Sequence, residues 1–451
     1  MPHAMRTLED AVIALETGHL SSRQLTETCL ERIADPAGEG SRVFLQVNYE
    51  AARAAADASD ARRRGRRALS RLDGVPLSIK DLFDVQGHVT RAASLAMDDA
   101  LPASATAPAV QRTLEAGMVI VGRTSMSEFA FSGLGLNPHH GTPKNPWDRE
   151  TGRIPGGSSS GAAVSVADGM ALAALGTDTG GSCRIPAALC GVVGFKPTQN
   201  RVPRDGALPL SPTLDSVGPL ATSVAGCALV DAVLAGGAPE APAARPLAGL
   251  VLPVLGGEWL AEMDPIVAEA FTAALRRLRA AGAELGERRI AAIDAIAHAT
   301  SHTGGFSPAE AWAWHRERLA RVGERYDPMV RARIERGAGV SEADLAALVT
   351  DRTRLISEAQ AALRDVDALV LPTCPIVAPP IALFDDPAQW MPVNLKLLRN
   401  NAMVNFLDRC AISLPINRPG EAPVGLMLVG AHGQDRALLA IAAAVEALLA
   451  E

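Results

Sequence analysis

The centre of the 451-residue chain constrains its fold more than any other part. Residues 155–198 read PGGSSSGAAVSVADGMALAALGTDTGGSCRIPAALCGVVGFKPT. Two clusters, Gly156–Gly161 and Gly176–Ser182, consist of glycine, serine, threonine and aspartate alone. Between them, Ala162 to Gly169 suits a helix leaving the first loop, and Ala171 to Leu175 suits a short buried strand entering the second. The chain therefore has to turn sharply on both sides of one helix and one strand. A Gly-Gly pair immediately before Ser182 leaves backbone N–H groups beside a hydroxyl, the local requirement for an oxyanion hole. Glycine permits the torsions and the close approach.

One such loop would ordinarily be a turn. A phosphate cradle is the next reading, but no G-x-x-x-x-G-K-[ST] pattern is present, and neither is the G-x-G-x-x-G dinucleotide pattern. Gly180-Gly181-Ser182 is not a G-x-S-x-G elbow. The signal rises above a turn because a third element accompanies the two clusters. Gly74-Val75-Pro76-Leu77-Ser78-Ile79-Lys80-Asp81 reads as a buried strand ending in a lysine.

The rest alternates helix and strand, which points to α/β architecture. Thr7–Ala34 reads as two helices, the second capped by Ser21 or Ser22. Ala51–Arg67 is a helix ending in a basic run from Arg62 to Arg67, read as a solvated helix end rather than a nucleic-acid patch. Met118 to Gly122 looks like a strand after a helix over Ala109–Ala116. The tract Gly133–Gly161 is loop, and Gly236–Pro246 a surface linker. Leu250–Leu252 restarts a strand. Pro265–Ala281 and Ser307–Asp365 are helical, Ala368–Pro372 is a strand, Pro415–Val429 a hairpin, and Gln434–Leu449 a final helix. No repeat of fixed period is present.

Composition narrows the function. With 48% hydrophobic residues the chain can bury a large core and does not belong to the disordered class. Its 43 basic and 50 acidic residues leave a net charge of −7, with no global attraction for nucleic acid or an anionic membrane. Six scattered cysteines are expected as free buried thiols. Met1 to Asp10 lacks the apolar stretch of a signal peptide, and no apolar run approaches the ~18 residues of a membrane span. A cytoplasmic protein is expected.

On these residues the chain resembles the amidase signature family of serine hydrolases. The resemblance centres on Gly156–Thr198 and extends to Gly74–Gly87, Gly122–Trp147 and the N-terminal helix pair. Leu371-Pro372-Thr373, Ser413-Leu414-Pro415 and Pro423–Leu426 are compatible with it. It implies one large α/β domain over residues 1–451, with a mixed, mostly parallel multi-stranded sheet wrapped by helices. Within that domain it implies N-terminal helices over about 1–70, a catalytic core over about 71–235, and a helical, substrate-pocket and C-terminal part over about 246–451. It implies a triad of Ser182 as nucleophile, Ser158 as bridge and Lys80 as base, the serines standing 24 residues apart, with Ser158 on a cis peptide. The oxyanion hole would be the N–H groups of Thr179, Gly180, Gly181 and Ser182. Asp178 and Arg184 would brace the loop, and Ala130, Phe131 and Ser132 would line the substrate pocket. Ser159 is read as a structural loop hydroxyl, with a role in the proton network, given by its place beside Ser158, only secondary. No metal and no cofactor are implied, because nucleophile, base and oxyanion donors are all protein groups.

The chemistry is consistent with the residues themselves. A serine hydroxyl needs a base. A lysine serves as one only when neutral, and desolvation at the end of an apolar strand favours that form. A hydroxyl between the two carries the proton across a gap too wide for one hydrogen bond. Among rivals, His139-His140 reads as a polar loop pair rather than part of a Ser-His-Asp triad, and Cys183 as a packed apolar group rather than a thiol nucleophile. Cys190 is read as core. Ser160 is a structural hydroxyl standing where glycine is commonest in the family. Trp147 is read as an anchor for its loop, and Tyr326-Asp327-Pro328 as a helix start bordering the substrate funnel. No cationic receptor for an acidic substrate is legible beyond Arg184, itself read as structural.

Three functions follow. The first is a free-standing amidohydrolase of a small linear carboxamide, with no nucleic-acid or membrane partner and with a homodimer allowed. The second is the amidase component of a glutamyl-tRNA amidotransferase, which releases ammonia from glutamine within a complex. The third is a scaffold with a degenerate site. The acyl group stays open among aryl, short-chain, malonamate-like, ureido and indoleacetamide-like amides.

Overall fold

The computed structural model describes residues 7–450. The expectation drawn from Met1–Asp10 falls mostly outside them. Eleven strands form one sheet: β1 Phe44–Val47, β2 Pro76–Lys80, β3 Val119–Thr124, β4 Ala173–Asp178, β5 Val193–Lys196, β6 Ser216–Ala221, β7 Val254–Leu255, β8 Glu287–Arg288, β9 Leu369–Pro372, β10 Ala411–Pro415 and β11 Gly425–Val429. Their spatial order is β1-β3-β2-β4-β6-β5-β10-β11-β9-β7-β8. The α/β class and the mixed sheet are as expected, but parallel pairing does not dominate. Only β2–β3, β2–β4, β7–β8 and β7–β9 are parallel. Antiparallel pairing prevails because β6 returns between β4 and β5, and because residues 416–424 join β10 directly to β11 as a hairpin.

The sheet is covered by helices on both faces, and the sequence patterns set their ends. Ser21 caps Ser22–Ala34 with a reciprocal Gln24 bond. The helix Val224–Leu234 is apolar almost all round, and ten of its eleven residues are buried. Every residue of β2, β4, β5, β6, β9 and β11 is buried. Residues in such strands have neighbours on both faces, so their short apolar runs lack alternation.

Several boundaries differ from expectation. The restart at Leu250–Leu252 is a single bridge, Val251 to Glu284, and the strand forms at Val254–Leu255. The hairpin begins at Ala411, ahead of the expected Pro415. The helices Ala291–Thr300 and Trp390–Phe406 were not foreseen. Among the described residues no helix is long and apolar enough to cross a membrane. The basic run is structural: Arg62 makes two bonds to Asp73, and Arg63 bonds the carbonyls of Asp73 and Arg71.

Candidate active site

The inner position of β2 delivers Lys80. The strand lies between β3 and β4, parallel to both, and Lys80 at its C-terminal end has no exposed surface. Its Nζ donates to Ser158 Oγ at 2.7 Å and to Thr177 Oγ1, on β4, at 2.9 Å. Burial lowers its pKa from 10.5 to about 8, opposed only in part by surrounding negative groups including Asp178 and Asp215. At pH 7 the shift raises the neutral fraction from about one in 3,000 to about one in ten. A buried amine so shifted, beside a hydroxyl, is a group able to accept a proton.

Ser158 follows a cis Gly157–Ser158 peptide. Gly157 is required by crowding, since a Cβ there would lie 2.6 Å from Gly135 N and 2.7 Å from Ser127 Oγ. The two serine loops are tied by the backbone N–H of Ser159, which donates to the carbonyl of Ser182 at 3.2 Å. Ser159 Oγ donates to the Thr177 carbonyl at 3.3 Å. Lys80 and Ser158 are therefore bonded directly. Ser182 joins them through this backbone bond rather than through its hydroxyl, and it lines an open cleft of about 270 Å³.

Asp178 organises the Ser182 loop. Its carboxylate accepts the N–H groups of Gly181 at 2.8 Å and Cys183 at 3.1 Å, and it takes Arg184 Nε and Nη2 at 3.0 and 2.9 Å. Burial alone would raise its pKa, but the Arg184 charge and bonds outweigh that and hold it well below the usual carboxylate range. Asn405 closes the network through bonds to Asp178 and Arg184. Gly181, at φ +124°, has no room for a side chain against Asn401 and Ile185. One expectation changes here. The Gly181 N–H is spent on Asp178, so it does not serve as a free oxyanion donor, whereas Thr179, Gly180 and Ser182 line the cleft. Thr179 Oγ1 is held by Asp215 at 2.5 Å.

Ala130, Phe131 and Ser132 also line the cleft. Phe129 and Ala130 turn the chain there with φ of +50° and +60°. Ser132 Oγ contacts Asn394 Oδ1 at 3.3 Å, and Gly133 N donates to the same oxygen at 2.8 Å. The Phe131 carbonyl accepts from Arg333 Nη1 at 2.6 Å. Arg333 also lines the cleft, so a cationic group beyond Arg184 is present after all. Its helix, Pro328–Glu335, starts at the Asp327 cap, whose backbone N–H donates to Glu128.

The rival residues occupy other roles. His139 Nε2 pairs with Glu128 Oε1 at 3.0 Å, not with a serine. Burial pushes the Cys183 thiol well above its ordinary pKa, and all six cysteines are free and buried. Trp147 stacks under the Arg153 guanidinium at 4.3 Å. Among the described residues no group of three His, Cys, Asp or Glu side chains could hold a metal ion. Thr177, Asp215, Arg333 and the asparagines of Trp390–Phe406 were missed as site residues. Of these, Thr177 had a signal, since it stands in the second glycine-rich cluster.

Comparison with known proteins gives a consistent family. The model of the Amidase family matches residues 24–439. The chain is 35% identical over 460 residues to 2-amino-5-chloromuconic acid deaminase of Comamonas testosteroni, covering 100% of this chain and 98% of that protein. It is 35% identical over 470 residues to one component of the glutamyl-tRNA(Gln) amidotransferase of Chloroflexus aggregans, covering 96% and 94%. A crystal structure of an amidase superposes with a TM-score of 0.87 at 35% identity, covering 98% of this chain and 99% of the other.

Proposed function

The chain belongs to the Amidase family and is an amide-hydrolysing enzyme, and from that premise we propose that it cleaves the C–N bond of a small linear carboxamide through an acyl-enzyme on Ser182. The observation that carries this reading is the buried Lys80 amine 2.7 Å from Ser158 Oγ, on a loop tied to that of Ser182.

The reaction proceeds by proton relay and group transfer. Ser182 Oγ attacks the amide carbon while its proton passes to Ser158 Oγ, and the Ser158 proton passes to Lys80 Nζ. Charge develops on the former carbonyl oxygen, where the N–H groups of Thr179, Gly180 and Ser182 stabilise it. Collapse breaks the C–N bond, and the relay returns a proton from Lys80 to the leaving nitrogen, which departs as ammonia or an amine. Water then attacks the ester, gives its proton to the same relay, and releases a carboxylate and free Ser182.

The 2-amino-5-chloromuconic acid deaminase favours an enzyme acting on a small acid. The amidotransferase relative favours a glutaminase working with a partner. The purified chain assayed for ammonia release from small amides and from glutamine separates the two. Ser182→Ala should abolish release from every amide hydrolysed, and full activity in that variant would refute the proposal.

A further inference from the structure

The cleft beside Ser182 is electrostatically one-sided. Its middle is apolar, with Leu210, Leu214, Ile296, Phe306, Leu398 and Phe406 in the walls. Two arginines, Arg333 and Arg399, face it, and among the described residues no Asp or Glu lines it. The two arginines are not equivalent. Arg399 bonds Asn400 Oδ1 at 3.0 Å and the Trp259 carbonyl at 3.3 Å, and the carboxylates of Glu262 and Glu258 act on it. Arg333 spends one bond on the Phe131 carbonyl and stacks on the Phe131 ring at 4.2 Å, with Trp390 at 5.7 Å. Burial lowers its pKa to about 10, so it is a cation at neutral pH, and among the described residues it has no carboxylate partner.

A guanidinium has five N–H donors in a planar fork that matches a carboxylate. Held in a partly buried site without a counter-charge, it costs free energy that an anionic ligand removes. Phe131 ties this fork to the segment that walls the nucleophile. An ammonium group in the same cleft would meet two guanidiniums and no carboxylate, and would be desolvated unpaired.

We propose that Arg333 receives a carboxylate at the end of the substrate remote from the scissile amide, and that the substrate carries no ammonium group: a monoamide of a dicarboxylic acid rather than an amino-acid amide such as glutamine. This rests on the reading of Ser182 as nucleophile.

The test compares three compounds of matched length, glutaramate, pentanamide and glutamine, with succinamate and adipamate added to cover spacer length. The wild-type chain should show a kcat/KM for its best monoamide at least about 10-fold above those for pentanamide and glutamine, the scale of one charge-assisted hydrogen bond. Arg333→Met should lower the ratio of monoamide to pentanamide by about 10- to 100-fold, and Arg333→Lys should keep part of it. Arg333→Gln retains a donor for the Phe131 carbonyl and serves if the Met variant does not fold. Binding of the product-like dicarboxylates, followed by calorimetry in Ser182→Ala, reads the receptor without turnover. They should bind there and lose at least about 10-fold in affinity on adding Arg333→Met. Glutamine matching the monoamides, an unchanged ratio in the Arg333 variants, or equal dicarboxylate binding with and without Arg333 would overturn the inference. Dicarboxylate binding with unimpaired hydrolysis by Ser182→Ala would instead refute the nucleophile and leave the receptor standing.

Discussion

Lys80 Nζ donates to Ser158 Oγ at 2.7 Å from a strand end with no exposed surface. A desolvated amine and a hydroxyl acceptor at that distance place function and stability in opposition. Folding must bury a group that would rather be charged in water, and the neutral form so favoured is the form that can take a proton.

Lys80→Met should therefore be inactive yet more stable below pH 8. The folded pKa of about 8 lies under the ordinary 10.5. The folded state thus binds fewer protons between these values, and wild-type stability rises with pH across that window. Below pH 8 the wild type carries the whole penalty, and removing the amine should recover about 1–3 kcal/mol. Turnover should fall by at least about a thousandfold. Thermal unfolding of both proteins at pH 6 and pH 10 checks this, and an equal stability difference at the two pH values would contradict it.

Thr177 gives Lys80 its second acceptor at 2.9 Å, and a hydroxyl accepting from an ammonium favours the charged form. Thr177→Val should lower the Lys80 pKa further, moving the rising limb of the rate profile to lower pH by about half to one unit. A limb that stays in place or moves upward would show that Thr177 does not set the base.

The buried Asp178–Arg184 pair should behave as one unit. Arg184→Met leaves a carboxylate without its counter-charge and should cost about 3–5 kcal/mol in denaturant unfolding. Asp178→Asn also weakens the anchor of the Gly181 and Cys183 N–H groups. The double variant should lose less than the sum of the two, by more than about 1 kcal/mol. Strict additivity would contradict a coupled pair.

Cys183 adjoins Ser182, the proposed nucleophile, but its thiol is buried and its pKa is raised, chiefly by burial. Cys183→Ala should keep most of the activity at a stability cost of about 1 kcal/mol, and thiol-directed reagents should leave the native wild type active. Rapid inactivation by such a reagent, prevented by Cys183→Ala, would reopen the thiol reading.

How far the sequence could be read follows from where each residue finds its partners. Pro76–Lys80 was legible because a strand buried between two parallel neighbours is largely apolar on both faces, with Ser78 alone interrupting the run before Lys80, and the glycines around Ser158 and Ser182 were legible because close approach leaves no alternative. The helix Trp390–Phe406 was not, because four of its buried residues are asparagines: Asn394, Asn400, Asn401 and Asn405. They look like a polar loop until their partners arrive from distant segments, at Gly133, Pro372, Thr373 and Asp178. Arg333 stands in a stretch rich in arginine and glutamate, and what distinguishes it is that among the described residues no carboxylate pairs with it in the folded state. Strand pairing was likewise hidden. Nothing local in Ser216–Ala221 says that it runs back between β4 and β5.

The most direct test of the central claim is the pH dependence of the acylation rate of Ser182 by an activated ester, measured in the wild type and in Lys80→Ala. The account gives a rate that rises through one ionisation near pH 8 and levels above it, with that limb and most of the rate lost in the variant. A rate flat from pH 6 to 10, or a limb that survives the loss of Lys80, would contradict it.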